Sequence, residues 1–243
     1  MKVIIVEDYD KMSEVAADIL AKQITEKPNT VLGLATGSTP IGMYKKLVEY
    51  YQNGKLNFSE IKSFNLDEYC GLPKDNVQSY WYFMHDNLFN HINIKSDNVN
   101  MFDGEENDAK KACEEYDMAI EKAGGIDLQI LGCGHNGHIA FNEPSTEFSK
   151  SSHRVELQES TINANKRLFA DVSQVPKTSY TMGIKNIMNA KKIVMLVSGE
   201  DKALTVHQAF NGPIVSTVPA SVLQLHNDFT LVMDKAAASK YVK

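Results

Sequence analysis

The chain has 243 residues, 43% of them hydrophobic and 23% charged, with a formal net charge of −6. That length can bury a substantial core, and the acidic balance with no run of Lys and Arg argues against nucleic acid as the main partner. The apolar run before Glu7 and Asp8 is too short for a signal peptide or a membrane span.

Residues 3–6 read as a short buried strand. Met12, Val15, Ala16, Ile19 and Leu20 then share one helical face. Residues 31–35 form a second strand that runs into Thr36-Gly-Ser-Thr-Pro40 and a helix with Ile41, Tyr44, Leu47, Val48 and Tyr51 inward. Residues 61–66 look like a third strand, followed by an aromatic helix over 79–89 and a weak strand at 99–102. Residues 108–122 carry the clearest amphipathic pattern, ended by Gly124 and Gly125. Strands follow at 126–131, 192–197 and 229–233, with a helix over 201–210 between the last two.

Alternating strands and helices with apolar strands predict an α/β fold: a mostly parallel sheet with helices on both faces. No Pro/Gly/Ser-rich linker divides the chain, so one domain over 1–243 is expected. Cys70, Cys113 and Cys133 are widely spaced and contain no CxxC, which suggests reduced thiols in a cytoplasmic protein. Ligands of such sheets gather beyond the carboxyl ends of the strands. Three post-strand loops therefore matter.

In the first, Thr39 suits a helix N-cap and Pro40 the first helical position. Gly37 lets the backbone approach a ligand, and Thr36, Ser38 and Thr39 with the helix-start amides could hold a phosphate. A plain capped turn would read the same way. In the second, the strand over 61–66 runs into Asp67 and Glu68. Adjacent side chains on extended backbone point apart, so one could face a pocket as a general base while the other makes a structural contact. A solvated acidic loop is the alternative.

The third is Gly-Cys-Gly-His-Asn-Gly-His-Ile-Ala-Phe-Asn-Glu-Pro, residues 132–144. Gly132, Gly134 and Gly137 match a dinucleotide fingerprint, but Pro144 cuts off the helix that fingerprint needs. His135 and His138 stand at i, i+3 rather than the i, i+4 of a zinc-protease helix, so no metal is expected. What remains is an imidazole and a carboxylate, Glu143, on a glycine-supported loop, a pair suited to moving protons.

The segments LGLATGSTP, FNLDEYCGL and GHNGHIAFNEP, in this order, resemble glucosamine-6-phosphate deaminases, and the likeness extends through SYWYFMHDNLF, GEDKA and LQLH over nearly the whole chain. The resemblance implies a single Rossmann-like domain that turns glucosamine 6-phosphate and water into fructose 6-phosphate and ammonia, with no redox cofactor or catalytic metal. It assigns proton transfer between C2 and C1 to Asp67, ring opening to His138 with Glu143, and the phosphate to Gly37, Ser38, Thr39, Arg167 and Lys202. Many relatives carry an aspartate where this chain has Asn136. An asparagine there can orient the ring but supplies no charge, and its replacement by Asp is expected to favour the protonated imidazole. Larger relatives bind an acetylated sugar phosphate at a subunit interface through positions that are His153 and Val155 here. No such activation is expected, and the assembly is expected to be a monomer or a small homo-oligomer. The nearest rivals are a 6-phosphogluconolactonase-like hydrolase and a sugar-phosphate sensor without turnover. Cys70, Trp81 and His85, His91, His207 and His226 read as structural.

Overall fold

The computed structural model describes residues 1–159, 162 and 174–242. The elements in chain order are β1 (Lys2–Val6), α1 (Tyr9–Glu26), β2 (Val31–Leu34), α2 (Ile41–Gln52), β3 (Lys62–Asn65), β4 (Asp67–Tyr69), α3 (Tyr80–Asn87), β5 (Val99–Asn100), α4 (Ala109–Lys122), β6 (Leu128–Leu131), β7 (His153–Glu156), β8 (Thr178–Thr181), α5 (Ile184–Met188), β9 (Lys192–Val197), α6 (Ala203–Phe210) and β10 (Phe229–Asp234). Short 3₁₀ turns precede β5, α6 and β10. Among the described residues, no helix is long and apolar enough to cross a membrane.

Local sequence sets the helix starts. Asp8 caps α1 by accepting the Lys11 N–H at 2.9 Å, Ser79 caps α3 through the Tyr82 N–H at 3.0 Å, and Asp108 caps α4 through the Lys111 N–H at 3.1 Å. The start of α2 departs from expectation. Pro40, in helical conformation, occupies the cap position, and the Thr39 side chain bonds to no backbone N–H of α2 among the described residues. The Ile41 N–H instead reaches the Ser38 carbonyl, so the turn closes through backbone and leaves the Thr39 hydroxyl available.

A seven-stranded sheet has the order β1-β10-β9-β6-β2-β3-β5, and all its pairs are parallel. Its central strands β2, β6, β9 and β10 are buried almost throughout, as strands covered on both faces must be. One connected core runs from Met12 on α1 to Ala237 after β10.

A second, antiparallel sheet of order β4-β8-β7 lies outside the sequence expectation. Its strands, DEY, TSYT and HRVE, are too short and too polar to show apolar periodicity. The chain changes sheets at Leu66, whose N–H donates to Leu34 of β2 while its carbonyl accepts from Met182 after β8. Asp67 is the first residue past that crossing.

Asp127 staples the opposite end of the large sheet. Its carboxylate accepts the Val31 N–H at 2.8 Å, Lys27 Nζ at 2.7 Å and Lys191 Nζ at 2.7 Å. Burial works to raise this carboxyl, but Lys191, Lys27 and the Val31 N–H outweigh it and hold the group at about 2, below its ordinary 3.8. The folded value lies under the unfolded one, so the contribution is complete above pH 3.8 and is lost as pH falls through about 2. Asp127→Asn is expected to destabilise the chain by about 2–3 kcal/mol at neutral pH. Denaturant unfolding of both proteins between pH 7 and pH 2 measures this, and the gap should close at the acid end.

Candidate active site

From β2 the chain winds outward to β3 and β5, then returns to lay β6 on the other side of β2. The loops leaving β2 and β6 therefore part in opposite directions and open a crevice at the carboxyl edge of the sheet. A cleft of about 290 Å³ lies there, a fit for one small molecule. Thr36, Gly37, Ser38 and Thr39 line it from the end of β2, Asp67 from the crossing, residues 132–136 and His138 from the end of β6, and Lys202 from the turn after β9. Arg167 lies outside the described residues.

The loop over 36–39 presents donors. Tyr44 Oη donates to the Ala35 carbonyl at 2.6 Å and Tyr9 Oη to the Ser38 carbonyl at 3.0 Å, so two side chains hold down its acceptors. The N–H groups of residues 36–39 donate to no protein acceptor among the described residues. Gly37 has φ +94°, which favours glycine and turns the chain towards the start of α2. These amides, three hydroxyls and a helix start together suit an anion. Lys202 adds a cation. Its Nζ donates to the Cys133 carbonyl at 3.0 Å, and burial pushes its ammonium below its ordinary value.

The two adjacent acids separate as their strand geometry requires. Glu68 Oε1 accepts the Tyr69 and Tyr80 N–H groups and Oε2 the Trp81 N–H, all at 2.8–2.9 Å, which fixes it at the start of α3. Asp67 faces the cleft, and its carboxyl accepts no hydrogen bond among the described residues. Burial, with the Glu68 charge adding to it, pushes the Asp67 carboxyl up to about 8. Burial pushes Glu68 up to about 7 while its three N–H donors pull the other way. Glu68, held by donors, is the member of the pair that keeps its charge, so Asp67 carries the exchangeable proton.

After β6, the Gly134 N–H donates to the His138 carbonyl at 3.0 Å and closes a tight loop. A Cβ on Gly134 would lie 2.3 Å from His138 Nε2, so glycine leaves the space that the imidazole fills. The chain then reverses through Ala140, whose φ of +50° is an uncommon strained conformation for a residue with a side chain. The Asn142 N–H closes that reversal on the Ile139 carbonyl. The turn brings Glu143 back beneath His138, with Oε2 at 3.3 Å from Nδ1. Tyr80 and Phe141 stack nearly parallel at 6.1 Å and line the cleft between Asp67 and His138.

Asn136 corrects one expectation. Its amide does not orient the ring. Its Oδ1 accepts the His138 backbone N–H at 3.2 Å, and its Nδ2 donates to Glu143 Oε2 at 2.7 Å. It therefore steadies the carboxylate that meets the ring. Sequence reasoning passed over Tyr80 and Phe141 as cleft walls. Both lie inside motifs that it singled out, but aromatic residues next to a helix start read as packing. The positions His153 and Val155 stand on β7, outside this cleft. A larger hollow of about 1030 Å³ beside α4 shares no lining residue with this cleft and mixes Lys110, Arg154 and Lys185 with Glu114, Asp117 and Glu121.

The chain is thus a doubly wound α/β domain with unpaired loop amides, a buried carboxyl and an imidazole–carboxylate pair gathered at its switch point among the described residues. The chain belongs to the glucosamine-6-phosphate isomerase/6-phosphogluconolactonase family, whose model matches residues 7–232. It is 56% identical over 239 residues to a glucosamine-6-phosphate deaminase of Thermoanaerobacter sp. (strain X514), covering 98% of this chain and 94% of that one. It is 54% identical over 240 residues to a glucosamine-6-phosphate deaminase of Clostridium novyi (strain NT), covering 99% and 100%. Among solved structures, a monomeric glucosamine-6-phosphate deaminase superposes with a TM-score of 0.96 at 43% identity, over 99% of this chain and 100% of that one. A 6-phosphogluconolactonase from Thermotoga maritima shares the fold at a TM-score of 0.77 and 23% identity, over 96% and 99%.

Proposed function

We propose that this chain converts glucosamine 6-phosphate and water into fructose 6-phosphate and ammonia, as a single-domain monomer in cytoplasmic amino-sugar catabolism. The observation that carries the reading is the shared cleft: Asp67 and His138 face one space that also holds Lys202 and the amides of residues 36–39, which have no acceptor among the described residues. The amides of residues 36–39, the Ser38 and Thr39 hydroxyls, Lys202 and Arg167 take the 6-phosphate. His138, with its ring held by Glu143, moves a proton from the anomeric hydroxyl to the ring oxygen and opens the sugar. Asp67 removes the C2 proton and returns it to C1, which converts the amino aldose to a ketose imine. Water adds to the imine carbon, and the carbinolamine expels ammonia. Each step transfers a proton and none needs an external electron acceptor.

A lactonase needs no base for C2-to-C1 transfer, and the buried Asp67, whose carboxyl accepts no hydrogen bond among the described residues, favours the deaminase reading over that hydrolase. Purified protein given glucosamine 6-phosphate should release ammonia and fructose 6-phosphate in equal amounts and leave 6-phosphogluconolactone intact. Lactone hydrolysis without ammonia release would reverse the assignment.

Asn136→Asp sets a second carboxyl against Glu143 rather than against the ring. When protonated, the new group can donate to Glu143 as the amide does; when ionised, it repels it. The variant should remain active but shift the pH dependence of its rate relative to the wild type, because the charge of the new group couples to Glu143. Unchanged profiles would place Asn136 outside the proton-moving unit.

A further inference from the structure

Lys202 and His138 belong to different strand tips, yet three contacts in a short span join their segments. Thr205 Oγ1 donates to the His135 carbonyl at 2.6 Å, Lys202 Nζ donates to the Cys133 carbonyl at 3.0 Å, and His135 Nε2 meets Asp201 Oδ2 at 2.6 Å. A carboxylate only accepts, so Nε2 is the donor in the last. The Thr205 bond anchors the loop backbone to α6. The His135–Asp201 contact acts sideways, between the neighbour of Lys202 and the loop that carries His138.

We propose that His135 is a positioning residue: through Asp201 it sets the distance between the cation that receives the phosphate and the imidazole that works at the other end of the sugar. The inference rests on the phosphate reading of Lys202. In a sugar phosphate the covalent chain sets the longest reach from the phosphorus to C1–C2, and the cleft must hold the two ends at one distance within it. A slip of one segment against the other therefore leaves the phosphate held and the reacting carbons misplaced. The defect then falls on the chemical step rather than on anchoring.

The test compares His135→Ala, Asp201→Ala, their double variant, His135→Gln and Lys202→Gln, with glucosamine 6-phosphate as substrate and inorganic phosphate as competitive inhibitor. Each alanine variant should lower kcat about three- to tenfold and leave the inhibition constant for phosphate unchanged. The double variant should be no worse than the poorer single one, because both remove the same contact. His135→Gln keeps an N–H donor and should recover part of the loss. Unchanged kcat in the alanine variants, additive losses, no recovery with Gln, or weakened phosphate inhibition would each overturn the proposal. Lys202→Gln should raise both KM and the phosphate inhibition constant. If it leaves both unchanged, the phosphate reading itself fails, an outcome distinct from failure of the His135 variants alone.

Discussion

Asp67→Asn is expected to cut turnover by about 10²–10⁴-fold while making the folded chain more resistant to denaturant at alkaline pH. The kinetic half follows from position: Asp67 is the carboxyl in the cleft with no hydrogen bond among the described residues to tie it down. The stability half follows from its titration. Burial and the Glu68 charge raise the folded value to about 8, against an ordinary 3.8, so the folded chain holds a proton that the unfolded chain has released. Stability therefore falls as pH rises from about 4 through 8, and an amide removes that loss. The same titration shapes the wild-type rate, which should climb towards pH 8 as the base ionises. Urea unfolding at pH 5 and pH 9, with turnover and C2 deuterium exchange at pH 8, measures both halves. Full exchange at C2 in the amide variant would remove Asp67 from the reaction.

Gly134→Ala is expected to lower kcat by about 10²-fold with little change in the unfolding midpoint. The added methyl would stand 2.3 Å from Nε2 and 2.4 Å from Cε1 of His138. These atoms are the far end of a side chain that is about one-fifth exposed, so the ring can swing aside without disturbing the core. The backbone at Gly134 is not in the left-handed region, so the substitution adds no conformational strain of its own. Steady-state kinetics and thermal unfolding of the variant separate displacement of the ring from general damage. An active variant, or one that fails through unfolding, would show that turnover does not depend on the space that Gly134 leaves for the ring.

Much of the large sheet was legible because its strands are buried on both faces. VLGL, LQIL, KIVMLV and FTLVMD announce themselves as apolar runs. The antiparallel sheet was not, since Asp67, Glu68 and Ser179 are buried polar residues whose partners lie far along the chain. The Ser179 hydroxyl, for example, donates to the Glu68 carbonyl at 2.6 Å. Within the site, the alternation rule foretold the split between Asp67 and Glu68. The role of Asn136 could not be read from spacing, because the turn at Ala140 brings Glu143 within its reach and no local signal marks a strained alanine.

The crossing at Leu66 gives the two halves of the cleft different owners. The amides of residues 36–39, Lys202 and the imidazole loop all stand on ends of the large sheet, whereas Asp67 opens the small one. A lineage could therefore remodel the acid proposed here to move the C2 proton and still keep the loops proposed to hold the phosphate. Such a partition offers a physical route by which one scaffold comes to serve both ring-opening isomerases and lactone hydrolases.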